Sequence, residues 1–318
     1  MSARFWRAAG ESEAAMFLRV GCEFQYDSAA PTPAIVLVAP HPDSAHRVMR
    51  EHWESSPAIE RHGYRDLFSN RLERLILPAG HSALRYDALV EVSGDPDAVA
   101  PGAAQVPVEE LPDDALVYTL ASRYCHSEVL SQVAWHVFGA TQPGWGRVQA
   151  ICDWIHENIR YGALRSTPVT TAVDVYVAGG GMCRDFAHLA ITFCRALNIP
   201  ARYVFGYMPD PRVSGPQSAT DFHAWFEAYL DGRWWTFDAR FNTPLSGRIP
   251  IGIGRDAVDV AMVTSYGPAT FKRMTVWVEP SDELEQDGPR EERPTRTPEV
   301  SEALVVEAGH QQEGTGHA

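Results

Sequence analysis

The chain has 318 residues, 45% of them hydrophobic and 21% charged, which is enough to build two units that each bury a core. Its net charge is −14, but the last 38 residues hold ten acids against three arginines, so half of that excess belongs to the C-terminal segment. No basic stripe remains to hold nucleic acid or an anionic membrane surface, and both partner classes are set aside.

The first twenty residues carry Arg4, Arg7, Glu11 and Glu13 and no apolar stretch of signal-peptide length. The longest apolar run, Ala34–Ala39, is far short of the roughly 20 residues that span a bilayer. A cytoplasmic protein is expected. Five cysteines, at positions 22, 125, 152, 183 and 194, form neither a paired framework nor a CxxC, so reduced thiols are expected.

From Met16 to Tyr26, apolar residues at every second position alternate with Arg19, Gly21, Glu23 and Gln25, the period of a half-buried strand. Ala34–Ala39, Leu72–Leu77 and Ala83–Val92 read as further strands, the last two joined by Pro78-Ala79-Gly80-His81. An antiparallel, sandwich-like β domain is therefore expected over 1–114, with Ser93–Asp114 as a connector. Beyond it the period changes. Val148, Ile151, Cys152, Ile155 and Ile159 fall on one helical face, and Met182–Leu197 is apolar nearly all round, as a helix inside a core must be. Asn198-Ile199-Pro200 ends that helix. Strands follow at Ala201–Tyr207, Asp221–Leu230, Arg233–Ala239 and Phe271–Val278, completing an α+β unit over 115–280. The aromatic-free, Pro-containing segment 281–318 reads as an acidic disordered tail.

Three residues carry the chemistry. Cys183 follows three glycines at the start of the core helix, where unpaired amides and the helix dipole favour a thiolate. The turn Asp231-Gly232 is a hairpin signal that sets Leu230 opposite Arg233 and, counting back, Trp225 opposite Asp238. His223 and Asp238 then become diagonal neighbours on one face, about 7–8 Å apart at the backbone. A carboxylate on that face needs a partner to offset its desolvation, and the imidazole is the one within reach. The reading is Cys183 as nucleophile, His223 as base and then acid, and Asp238 as the orienting group. The backbone N–H of Cys183 and the Tyr161 hydroxyl are candidate oxyanion donors, and Trp225 and Trp234 are candidate cleft walls, although core packing explains the aromatic residues equally well. Arg184 and Asp185 are expected to cap and solvate the helix start. Cys152 with His156, and His188 near Cys183, lack further ligands and are expected to be packing residues, so no metal and no cofactor is expected.

These motifs resemble the transglutaminase-like cysteine peptidase superfamily in its bacterial branch. They are Gly181-Met182-Cys183-Arg184-Asp185-Phe186-Ala187, Asn198-Ile199-Pro200-Ala201-Arg202-Tyr203, His223-Ala224-Trp225 and Trp234-Trp235-Thr236-Phe237-Asp238, recurring in order between about Gly144 and Ile253. The N-terminal strands resemble, more weakly, a β domain that precedes this core in some members. The resemblance implies a papain-like α+β core with a central helix on an antiparallel sheet and a Cys-His-Asp triad. Members commonly continue Asp-Pro after the hairpin. Here Asp238-Ala239-Arg240 follows, a departure expected to loosen the loop without touching the triad. The function expected is a peptidase or amidase acting on a peptide or protein through a Cys183 thioester. The alternatives are a transglutaminase, in which an amine resolves the thioester, and a non-catalytic interaction protein. Nothing in the sequence bears on oligomeric state.

Overall fold

The computed structural model describes residues 15–162, 166–209 and 221–281, together with the backbone of 305–307. The opening alternation forms β1 (Met16–Ser28), whose Leu18, Val20, Cys22, Phe24 and Tyr26 are all buried. After it come β2 (Thr32–Val36), β3 (His46–Ser56), β4 (Arg61–Arg65), β5 (Arg71–Leu77) and β6 (Gly80–Val92). The connector then holds a short 3-10 turn at Val108–Glu110 and runs into a four-residue helical turn, α1 (Asp113–Leu116).

The second unit supplies α2 (Ser131–Phe138), α3 (Trp145–Asn158), β7 (Arg160–Tyr161), α4 (Ala172–Ala178), β8 (Gly180–Gly181) and α5 (Cys183–Ala196). Its sheet strands are β9 (Ala201–Tyr207), β10 (His223–Leu230), β11 (Arg233–Phe237) and β12 (Ile249–Gly254). They lie in the order β11-β10-β9-β12, every pair antiparallel, and α5 packs on β9 and β10. Every α5 residue after Cys183 is buried, as a helix apolar nearly all round requires. Its one basic residue near the end, Arg195, is also buried. Arg195 donates to the carbonyls of Ala201, Leu120 and Arg255, which satisfies the guanidinium inside the core. Asn198, with φ 61°, and then Pro200 stop the helix.

The α+β class and the sandwich-like N-terminal sheets agree with the expectation. The extent of those sheets does not follow the proposed division of the chain. Phe271–Val278 was assigned to the 115–280 unit, but it lies within β14 (Ala269–Pro280), which pairs antiparallel with β1 from Leu18↔Pro280 to Ser28↔Ala269. β13 (Val263–Ser265) likewise pairs with β2. The two sheets are thus β14-β1-β6-β3 and β15-β13-β2-β5-β4, where β15 (Val305–Glu307) runs parallel to β13. The remainder of the expected tail lies outside the described residues. Each sheet therefore takes strands from both ends of the described chain. The inward faces of both merge with the helix–sheet core into one continuous apolar cluster.

Candidate active site

The site forms where the N-terminus of α5 meets the β10–β11 hairpin. Asp231 and Gly232, both at positive φ, make the two-residue turn, with Leu230 opposite Arg233 and Phe226 opposite Phe237, as the sequence register requires. One step further on, His223 Nε2 and Asp238 Oδ2 are 2.7 Å apart, and both side chains are almost completely buried. Asp238 is saturated. Its Oδ1 accepts the backbone N–H groups of Arg240 at 3.0 Å and Phe241 at 3.2 Å, and its Oδ2 also accepts from Arg248 Nη2 at 3.1 Å.

Burial alone would raise the Asp238 pKa. The charge and hydrogen bond of His223, the Arg248 guanidinium and the Phe241 amide outweigh it and hold the carboxylate well below its ordinary range. Burial also opposes charge on His223. There the Asp238 carboxylate, with a further contribution from the contact with Cys183, prevails and lifts the imidazole above its ordinary value. The Cys183 thiol is thus close enough to the imidazole to add to that rise. With Nε2 committed to Asp238, Nδ1 is the nitrogen left for it.

Among the five cysteines, Cys183 alone is not buried. Burial pushes Cys22 and Cys125 up to about 12 and raises Cys152 and Cys194 as well, which leaves those four as unreactive core thiols. The helix start that presents Cys183 is held by its neighbours. Asp185 Oδ2 accepts the Met182 N–H at 2.8 Å, and Arg184 pairs with Asp185 Oδ1 at 3.0 Å while donating to the Thr167 carbonyl at 2.6 Å. The expected capping is present, but solvation is not. Arg184 and Asp185 are both buried, because each neutralises the other. Gly181 has a similar structural reason: a Cβ there would fall 2.6 Å from Asp185 Cβ, so this glycine makes room for the cap.

Tyr161 stands beside the loop that leads into Cys183, since β7 pairs with β8 and sets Tyr161 against Gly181. Its ring is 43% exposed, and the Arg240 guanidinium lies 3.8 Å from its centroid. Trp225 and Trp234, expected as cleft walls, border a space beside the imidazole. They line a cavity of about 570 Å³ together with His41, Phe68, Tyr118 and Arg248, and the lining includes neither Cys183 nor His223. Trp225 is buried and stacks on the His223 ring at 6.1 Å, while Trp234 packs edge-on against Tyr118 at 5.2 Å. Trp225 of β10 and Trp234 of β11 thus share this cavity with His41 and Phe68 of the N-terminal unit, a relation that alternation along one strand cannot reveal.

The weaker candidates are accounted for by packing. His188 is fully buried between Tyr124 and Tyr203, accepts the Ala257 N–H at 3.1 Å, and is kept neutral by burial, so it belongs to the core. His156 bonds the Arg240 carbonyl at 2.9 Å through Nδ1.

Sequence reasoning missed Arg248 and Arg240. Arg248 joins Asp238 to Asp97, with Nε 2.9 Å from Asp97 Oδ2, and its guanidinium lies over Trp225. Arg240 was read as leaving the triad untouched. In the structure its N–H bonds Asp238 and its Nη1 lies 3.4 Å from His223 Nδ1.

Comparison with known proteins agrees with this architecture. Residues 132–239 match the family model of the transglutaminase-like superfamily. A candidate cysteine protease from Cytophaga hutchinsonii, solved by crystallography, is 31% identical and superimposes with a TM-score of 0.77, covering 90% of this chain and 97% of that one. An uncharacterized protein of Mycobacterium leprae is 26% identical over 238 residues, 70% of this chain and 82% of the relative. One from Mycobacterium tuberculosis is 27% identical over 233 residues, 68% of this chain and 74% of the relative. The fold, the ordered motifs and a relative matched over nearly its whole length lead to one assignment: the chain belongs to the transglutaminase-like superfamily.

Proposed function

We propose that the protein is a cysteine-dependent amide hydrolase, a peptidase or amidase, that works through a thioester on Cys183. The observation that carries this reading is the one half-buried thiol of the chain, at a helix start, beside an imidazole whose far nitrogen is bound to a buried carboxylate. The resemblance to a candidate cysteine protease supports hydrolysis over transfer.

In this reading Cys183 Sγ adds to the scissile carbonyl carbon while its proton passes to His223 Nδ1. Asp238 stabilises the imidazolium and fixes the tautomer. The Cys183 amide, in the first helical turn with no intrahelical acceptor, and the Tyr161 hydroxyl receive the oxyanion. Collapse breaks the C–N bond, and His223 returns the proton to the leaving amine. Water, deprotonated by His223, then splits the thioester to a carboxylic acid and the free thiol.

The test is hydrolysis of a library of peptide amides, with Cys183→Ala as the control and a fluorescent amine in a parallel reaction. Release of amine by the native protein alone is the expected result. Incorporation of the fluorescent amine with little hydrolysis would replace the reading with a transglutaminase. Turnover that survives in Cys183→Ala would refute it.

A further inference from the structure

Arg240 is placed to do more than close a loop. Its backbone is pinned on both sides, the N–H by Asp238 Oδ1 at 3.0 Å and the carbonyl by His156 Nδ1 at 2.9 Å. The side chain lies over aromatic rings, its guanidinium carbon 3.8 Å from the Tyr161 ring centroid and 4.7 Å from that of Phe241. Nη1 is 3.4 Å from His223 Nδ1, the ring nitrogen that Asp238 does not hold. Among the described residues Arg240 forms no ion pair, whereas Arg184 and Arg248, also at this site, each hold a carboxylate. A half-buried guanidinium, held on rings at the rim of a reaction centre and left without an anion, is the arrangement that receives a planar carboxylate from outside.

The chemistry at His223 points the same way. In the neutral imidazole, with the proton on Nε2 toward Asp238, Nδ1 is an acceptor and tolerates the guanidinium beside it. Once Nδ1 takes the thiol proton, two cations would face each other at that separation. A carboxylate on Arg240 would remove the repulsion at the moment the imidazolium forms.

We propose that Arg240 is the specificity residue of this site and that the substrate carries a free carboxylate within one residue's reach of the scissile carbonyl. The inference rests on the proposed role of Cys183 and names the substrate class for it. A C-terminal residue or an acidic side chain flanking the bond would supply that carboxylate, and a fully blocked, neutral peptide amide would be a poor substrate.

Two alkylating agents of similar size separate the possibilities. Cys183 displaces iodide from either iodoacetate or iodoacetamide, forming a thioether, and only the former brings a carboxylate. The expected result is a preference for iodoacetate in the wild type that falls on the order of tenfold in Arg240→Gln and is partly kept in Arg240→Lys. An unchanged preference in Arg240→Gln, or a rise of both rates by the same factor, would overturn the assignment while leaving Cys183 as nucleophile. Failure of both reagents to label Cys183 in the wild type would remove the inference and the proposed function together. A measurement that needs no variant guards against misfolding. N-acetylglycine should protect the wild-type thiol from iodoacetamide, and its neutral methyl amide should not; equal protection, or none from either, counts against the proposal.

Discussion

Arg248 and His223 share one carboxylate oxygen. Asp238 Oδ2 receives His223 Nε2 at 2.7 Å and Arg248 Nη2 at 3.1 Å, while the same arginine holds Asp97 from the connector of the N-terminal unit. The orienting acid of the candidate triad is thereby tied to a segment 141 residues away in sequence, counting from 97 to 238.

Arg248→Met should therefore act in two separable ways. Asp97 would be left without its partner, and breaking a buried pair costs about 3–5 kcal/mol, which urea unfolding would read. Adding Asp97→Asn should recover part of that loss. Removing a cation beside the imidazole also favours its charged form, so the alkaline limb of Cys183 reactivity should move to higher pH. Arg248→Lys should leave the limb near its original place. A stability loss with no movement of the limb would show that Arg248 serves only as scaffold.

The pH dependence of folding follows from the same pair. His223 lies above the ordinary imidazole value of 6.5, so its contribution is full below 6.5 and is lost as pH rises through the raised value. Asp238 lies below the ordinary 3.8, so its contribution is present above 3.8 and is lost as pH falls through the lowered value. The pair stabilises the fold most between 3.8 and 6.5. Asp238→Asn should flatten the stability profile at both edges of that window. It should also slow turnover by about 10⁴, because an amide holds the wrong imidazole tautomer. Denaturation midpoints measured across the pH range would check the first part and single-turnover rates the second.

The oxyanion role proposed for Tyr161 can be tested by comparing two kinds of chemistry at one thiol. Acylation passes through an oxyanion and alkylation does not. Loss of one oxyanion donor costs about 10²–10³ in rate. Tyr161→Phe keeps the ring under Arg240 and removes only the hydroxyl, so amide hydrolysis should fall by about that factor while iodoacetamide labelling of Cys183 stays near wild type. Equal loss in both assays would assign Tyr161 to holding the loop.

Local rules made some of this site legible in the sequence, and distant packing hid the rest. The Asp231-Gly232 turn fixes the count between two strands, so the meeting of His223 with Asp238 follows from spacing alone. The buried helix announced itself because its sequence is apolar nearly all round. β3 and β4 went unread because they are polar on both faces: β3 is exposed or half-exposed along its whole length, and no two-residue alternation marks it. β14 was read as a strand but its partner was not, since pairing with β1 is decided by closure of a sheet across the whole chain. Arg248 is silent for the same reason, as both its carboxylates come from other elements. Arg240 was misjudged because its backbone position suggested a loop, whereas its side chain folds back over Tyr161.

Gly181 offers the sharpest test of how the nucleophile is held. Any side chain there meets Asp185, with Cβ at 2.6 Å and Oδ2 at 2.8 Å from the added carbon, and Asp185 is fully buried in its pairing with Arg184. The cap has nowhere to retreat, so Gly181→Ala must push either the Met182 amide or the Asp185 carboxylate out of its hydrogen bond. Overpacking of this kind costs about 1–3 kcal/mol. The strain falls two residues from Cys183, so reactivity should drop along with stability: labelling of Cys183 should slow even where the protein is fully folded. A loss of stability with unchanged labelling would mean that the cap supports the helix alone, and that the thiol is positioned by the hairpin side of the site.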